Sequence, residues 1–134
     1  MIVVDTNIIA HFFITGSLTA AAEQAYSKDA WCAPLLWRSE FRSVLASHYR
    51  AGSLRSSAIR DLMAKAERLM WGREFSVRSS AVLDFIEQSR RSAYDCEFLA
   101  LAVDFGVPLV TLDEPIVREF PKIAIHLRDF VRRS

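Results

Sequence analysis

Ile2-Val3-Val4-Asp5-Thr6-Asn7 and, near the other end of the chain, Val107-Pro108-Leu109-Val110-Thr111-Leu112-Asp113 decide the fold. In each, a short apolar run suited to a buried strand is followed by an acid. Strands buried on both faces belong to a parallel sheet covered by helices on either side. Working outward, residues 30–33 read as a second strand, 74–77 as a third and 123–127 as a last one ahead of an arginine-rich tail. Helical patterns lie between them. Residues 18–27 are alanine-rich, and Pro34 is expected in the first turn of a helix carrying Trp37, Phe41, Val44, Leu45 and His48, stopped by Gly52. Ile59, Leu62, Met63, Ala66, Leu69 and Met70 form one apolar face with Arg55, Arg60, Lys65 and Arg68 off it. A helix from about Ser80 points Val82, Phe85 and Ile86 inward. Ser92 and Asp95 have capping-box spacing before Phe98, Leu99, Ala102 and Val103, and Gly106 and Pro108 end that helix. Strands alternating with helices predict an α/β fold with a mostly parallel central sheet.

The 134 residues are 51% hydrophobic with a mean hydropathy of +0.14 and only 4 Gly and 4 Pro. That composition excludes a disordered or collagen-like chain. Such a length buries about two-thirds of its unfolded surface, so a single domain over 1–134 is expected without disulfide or zinc support. Cys32 and Cys96 have no CxxC spacing, which argues against a zinc knuckle or redox pair and fits a reduced, cytoplasmic compartment. Asp5 interrupts the apolar N-terminal run that a signal peptide would need. The longest uncharged stretch, 6–22, contains Thr, Asn, His, Gly and Ser and makes a poor membrane span, so no membrane association is expected.

Seventeen basic residues oppose 16 acidic ones, a net charge of +1 that does not itself select a polyanion. Yet 14 of the 17 are arginine, the residue that grips phosphate with a two-pronged fork. Arg38, Arg42, Arg50 and Arg55, on or just after the helix bearing Glu40, are candidates for holding an RNA backbone. The competing reading pairs the arginines with the acids on helix faces. Trp37, Trp71 and Tyr94 could stack on bases or serve the core.

Four acids carry the chemistry. Asp5 and Asp113 follow strands, and ligands of open parallel sheets bind beyond the carboxyl ends of the strands. Glu40 and Asp95 fall on stripes that should be apolar. An isolated carboxylate there costs several kcal/mol unless it is paired, protonated or bound to a cation, and no base shares the stripe of Asp95. Convergence of Asp5, Glu40, Asp95 and Asp113 on one or two hard divalent cations, Mg2+ or Mn2+, resolves the cost. Such a site suits phosphodiester hydrolysis. His11, His48 and His126 are isolated, and neither a nucleophile elbow nor a glycine-rich phosphate loop is present.

Val3-Val4-Asp5-Thr6-Asn7, Trp37-Arg38-Ser39-Glu40, Tyr94-Asp95-Cys96 before Leu99-Ala100-Leu101-Ala102, and Val110-Thr111-Leu112-Asp113 together resemble a PIN domain of the VapC toxin type, from VapBC toxin–antitoxin modules. The resemblance covers essentially the whole chain. It implies a PIN-like α/β/α sandwich and an Mg2+- or Mn2+-dependent endoribonuclease. Asp5, Glu40, Asp95 and Asp113 match the family's acidic cluster, and Thr6 and Thr111 its small hydroxyl positions, which orient carboxylates or water. Asn7 belongs to the same first turn. The family also implies a homodimer and an antitoxin whose C-terminal segment covers the acidic site, often presenting an arginine. Two departures stand out: Ser43 replaces an Asn common three residues after the glutamate, and Glu114-Pro115 replaces a further Asp or Asn, which bears on a second metal. Two other classes are weighed against this one. A phosphoacceptor signalling domain would want a lysine at a strand end near the acids. A catalytically silent interaction domain would bind no divalent metal.

Overall fold

A computed structural model describes residues 1–133. Five parallel strands, β1 (Ile2–Val4), β2 (Trp31–Pro34), β3 (Glu74–Phe75), β4 (Leu109–Thr111) and β5 (Ala124–His126), form one sheet in the order β3-β2-β1-β4-β5. Val3 pairs with Cys32 on one side and Leu109 on the other, and Thr111 pairs with His126. From β1 the chain builds outward through β2 to β3, then returns to the far side of β1 for β4. The strand order therefore reverses between β1 and β4, where the carboxyl edge opens a crevice. Right-handed crossovers make the reversal change the face on which the connecting helices lie. On one face α1 (Thr6–Phe13), α2 (Thr19–Lys28), α3 (Trp37–Arg50), α4 (Ser56–Leu69) and the C-terminal α8 (Leu127–Arg132) pack together, while α5 (Ser79–Gln88) packs on α6 (Ala93–Phe105). With α7 (Glu114–Glu119) following β4, this is the α/β/α sandwich expected from the sequence.

The central strands are apolar because both faces are covered: Val3, Val4, Leu109 and Val110 have no exposed surface. Trp37, Phe41 and Leu45 recur every fourth residue and bury one stripe of α3. In α6, residues 98–102 are all buried, and this helix touches β1, β2 and β4. Its end is set by Gly106 at φ 64°, the left-handed conformation that glycine adopts without a Cβ clash. Both cysteines are buried free thiols. No helix among the described residues is long and apolar enough to cross a membrane.

Several boundaries differ from expectation. Pro34 lies in β2, not in the following helix, and pairs with Phe75. Ala33 and Leu35 donate to the carbonyls of Arg73, just before β3, and Phe75. Strand alternation turns the Pro34 nitrogen to the β1 side, where pairing has already ended, so its missing N–H costs no ladder bond. Helices α1 and α7 stand where the sequence pattern marks no helix, and α8 where it marks an arginine-rich tail. Lys28 Nζ holds α8 by donating to the carbonyls of Phe130 and Arg133. Both edge strands are short, β3 with two residues and β5 with three.

Candidate active site

In a parallel sheet the helix that follows each strand starts at the carboxyl edge, and here every one of the four acids stands at a helix N-terminus. Asp5 caps α1 and Asp113 caps α7, while Glu40 and Asp95 lie in the first turns of α3 and α6. The positive end of a helix dipole favours an anion at such a position. The edge thus holds negative charge that a bare sheet would not.

Asp5 is the centre. It is 9% exposed, and both its oxygens are engaged: Oδ1 accepts from Thr6 N at 2.8 Å and Oδ2 from Thr111 Oγ1 at 2.7 Å. The Thr6 hydroxyl donates to Glu40 Oε1 at 2.7 Å, and Thr111 Oγ1 accepts from Asp113 N at 3.0 Å. Asp113 Oδ1 in turn accepts from Ile116 N at 3.2 Å. An unbroken hydrogen-bonded path therefore runs Glu40–Thr6–Asp5–Thr111–Asp113. Asp95 stands outside this path; its backbone N–H is capped by Ser92 Oγ at 3.0 Å.

The acids feel one another. Burial raises Asp5 from 3.8 to about 6, with repulsion from Glu40 and Asp95 adding to the effect and the hydrogen bonds from Thr111 and Thr6 opposing it. Burial also raises Glu40, reinforced by Asp95 and Glu97 against the Thr6 hydrogen bond. Asp95 is raised by burial and by Asp113, against Ser92 and Arg91. Asp95 thus neighbours each of the other three, Asp5 and Glu40 through the charge it adds to them and Asp113 through the charge it feels. Two neighbours were missed by the sequence reading. Glu97, half-buried and raised by its burial, is a fifth carboxylate; its position on an otherwise apolar helix was the available signal. Arg91, in the connection before α6, is the base that the stripe of Asp95 lacks, and its Nε lies 2.7 Å from Glu119 Oε1 but off the N–H axis. No sequence pattern links residues 91 and 119.

Asn7, the next residue along α1, has its Oδ1 buried with no partner among the described residues. An oxygen-only donor set, carboxyls raised by burial and then by one another, and an orphaned amide oxygen all fit a hard divalent cation. No three His, Cys, Asp or Glu side chains among the described residues close on a common point, so there is no ready-made cage.

The arginines divide. Arg38 forks onto Glu74, with Nε at 2.6 Å from Oε1 and Nη2 at 2.8 Å from Oε2, and reaches Glu67 through Nη1 at 2.6 Å. Trp37 Nε1 also donates to Glu74 at 2.6 Å. Arg38 and Trp37 are thus committed to tying α3 to β3 and α4. Arg42, Arg50 and Arg55 are exposed, as are Trp71 and Tyr94.

A family model described as PIN domain matches residues 2–123. No curated protein is similar enough to the chain to count as a match. Among solved structures, the chain resembles that of FitAcB from Neisseria gonorrhoeae with a TM-score of 0.76 at 14% identity, covering 96% of this chain and 99% of the other. A toxin–antitoxin complex from Klebsiella pneumoniae superposes with a TM-score of 0.65 at 16% identity, over 95% and 98% of the two chains.

Proposed function

Because the chain belongs to the PIN-domain family, whose members are in general nucleases, we propose that it is a divalent-metal-dependent endoribonuclease and the toxin of a toxin–antitoxin pair. The observation that carries this reading is the hydrogen-bonded path from Glu40 through Asp5 to Asp113, with Asp95 beside it, at the point where the strand order reverses. Asp5, Glu40, Asp95 and Asp113 would hold Mg2+ or Mn2+, which supplies charge neutralisation and a more acidic water for phosphodiester hydrolysis.

The chain's own residues do the rest. Thr6 and Thr111 donate to Glu40 and Asp5, which favours the ionised form of each and fixes the direction of its oxygens. Both hydroxyl protons are committed to carboxylates, so neither threonine serves as the nucleophile. Asn7 Oδ1 offers a neutral oxygen that a water or cation can satisfy. Arg42, Arg50 and Arg55 remain available to an RNA backbone, whereas Arg38 is held by Glu74 and Glu67.

The protein acts in the cytoplasm as a homodimer, and its partner is an antitoxin whose C-terminal segment, carrying an arginine, covers the acidic site. The toxin–antitoxin complex from Klebsiella pneumoniae supports that partner. The phosphoacceptor alternative lacks its lysine: Lys28 is bound to α8, Lys65 pairs with Asp61, and Lys122 lies before β5 at the opposite edge.

Incubation of the partner-free protein with total cellular RNA and Mg2+ or Mn2+ tests the reading, beside EDTA and Asp5→Asn controls. Discrete cuts that need both metal and Asp5 are expected. Cleavage that persists in EDTA or in the Asp5→Asn variant would refute it. So would an intact RNA pool together with no calorimetric Mn2+ binding, the outcome a silent interaction domain requires.

A further inference from the structure

The acidic edge poses a problem for its proposed substrate: Asp5, Glu40, Asp95, Glu97 and Asp113 together repel a polyanion. Any RNA must be held where countercharge lies close by. Such a place exists on the far side of β4. A depression of about 340 Å³ between α7 and α8 is lined by Arg118, His126, Arg128 and Arg132, with Glu114 and Asp129 also on its wall.

Its position is set by the sheet. His126 ends β5 directly opposite Thr111, whose hydroxyl holds Asp5. Neighbouring strands are about 4.8 Å apart, so the basic wall begins one strand spacing from Thr111 and two from Asp5, at the end of β1. Helix α7, which carries Arg118, starts immediately after Asp113.

The chemistry suits phosphate. Arg118 and Arg128 enter no ion pair among the described residues, in contrast to Arg38, Arg78 and Arg91. Arg132 meets Asp129 only at 3.9 Å, with both side chains mostly exposed, an interaction that gives way readily to a phosphate. His126 Nδ1 accepts from Arg128 N at 3.2 Å, which leaves the ring proton on Nε2 as a further donor. Guanidinium forks bind phosphate oxygens in pairs.

Resting on the ribonuclease reading above, we propose that this depression seats backbone phosphates of the RNA beside the cleavage point, with Arg118 and Arg128 as its anchors. It is a phosphate-positioning site, and sequence selection lies elsewhere.

The test is fluorescence anisotropy with a labelled 20-nucleotide single-stranded RNA of mixed sequence, in EDTA so that nothing is cut, from 50 to 200 mM salt. Wild type is compared with Arg118→Ala/Arg128→Ala, with Arg118→Lys/Arg128→Lys, and with Arg60→Ala/Arg68→Ala, which removes equal charge from exposed positions on α4. Each lost phosphate contact lowers the salt slope by about 0.7. The first double variant should therefore lose about 1.4 from the slope, and the wild-type advantage in affinity should shrink about sevenfold across the salt range. The lysine pair should retain most of the slope, and the α4 pair should match wild type. Equal slopes for wild type and Arg118→Ala/Arg128→Ala, an equal loss from the α4 pair, or no RNA binding by wild type would each overturn the proposal. Cleavage of total RNA in Mn2+ is scored separately. Asp5-dependent cutting that is indifferent to Arg118→Ala/Arg128→Ala at every salt concentration sinks the phosphate site and leaves the ribonuclease standing, whereas absent cutting with absent Mn2+ binding sinks the ribonuclease.

Discussion

Asp5→Asn separates two jobs that one side chain performs. As the cap of α1, Asp5 accepts a hydrogen bond from Thr6 N, and asparagine is an equally good cap. As a buried anion, it is raised from 3.8 to about 6, first by burial and then by Glu40 and Asp95. A tenfold change in an ionisation equilibrium corresponds to about 1.4 kcal/mol, so keeping this carboxylate charged costs the metal-free fold about 3 kcal/mol. The folded state binds the proton more tightly than the unfolded chain. The stabilising contribution of the protonated form is therefore complete below pH 4 and is lost as the pH rises to about 6. Urea denaturation in EDTA, measured at steps from pH 4 to pH 7.5, should show the stability of Asp5→Asn relative to wild type improving by about 3 kcal/mol, with the change concentrated between pH 4 and pH 6. At an m value of about 1.5–2 kcal/mol per M, that is about 1.5–2 M in the urea midpoint. The constant cost of burying an amide shifts the whole curve and leaves its pH dependence intact. A difference that is flat with pH would refute the reasoning, because Asp5 would then be an ordinary solvated cap.

Three further outcomes follow from the same geometry. Mn2+ should raise the melting temperature of wild type, by more at pH 7.5 than at pH 5 because the carboxylates must lose protons to bind it, and it should leave Asp5→Asn unmoved; a thermal shift series checks both. Thr111→Val removes the donor to Asp5 Oδ2 and the acceptor of Asp113 N; it should cost about 1–3 kcal/mol in denaturation and weaken Mn2+ binding about 10–100-fold by calorimetry. Arg38→Ala strips Glu74 of its fork; it should lower stability by about 2 kcal/mol, below the range for fully buried pairs, while leaving the salt dependence of RNA binding unchanged in the anisotropy assay.

What the sequence disclosed follows from which forces act locally. β1 and β4 were legible because strands buried on both faces must be apolar, and their ends were marked by Asp5 and Asp113. Glu40 and Asp95 betrayed themselves as acids on otherwise apolar stripes. Residues 6–13 concealed α1, because Thr, Asn, Ile and Phe are indifferent helix formers. Helices α7 and α8, six residues each, are too short to show a period. Pro34 was misplaced since its tolerance in β2 depends on where β1 ends, a tertiary fact. The fork between Arg38 and Glu74 joins residues 36 apart, and the orphaned oxygen of Asn7 depends on everything around it. Neither leaves a trace in local pattern.

The two edge strands, Glu74–Phe75 and Ala124–His126, carry a consequence for partnership. Two or three residues expose too few unpaired backbone groups to template an added strand, which guards a freely diffusing chain against sheet-to-sheet aggregation. The same brevity closes the β-augmentation route to any protein that binds it. Any protein that binds this molecule would read it through the side chains of its helical faces, and so could be specific to this sequence where a generic strand acceptor could not.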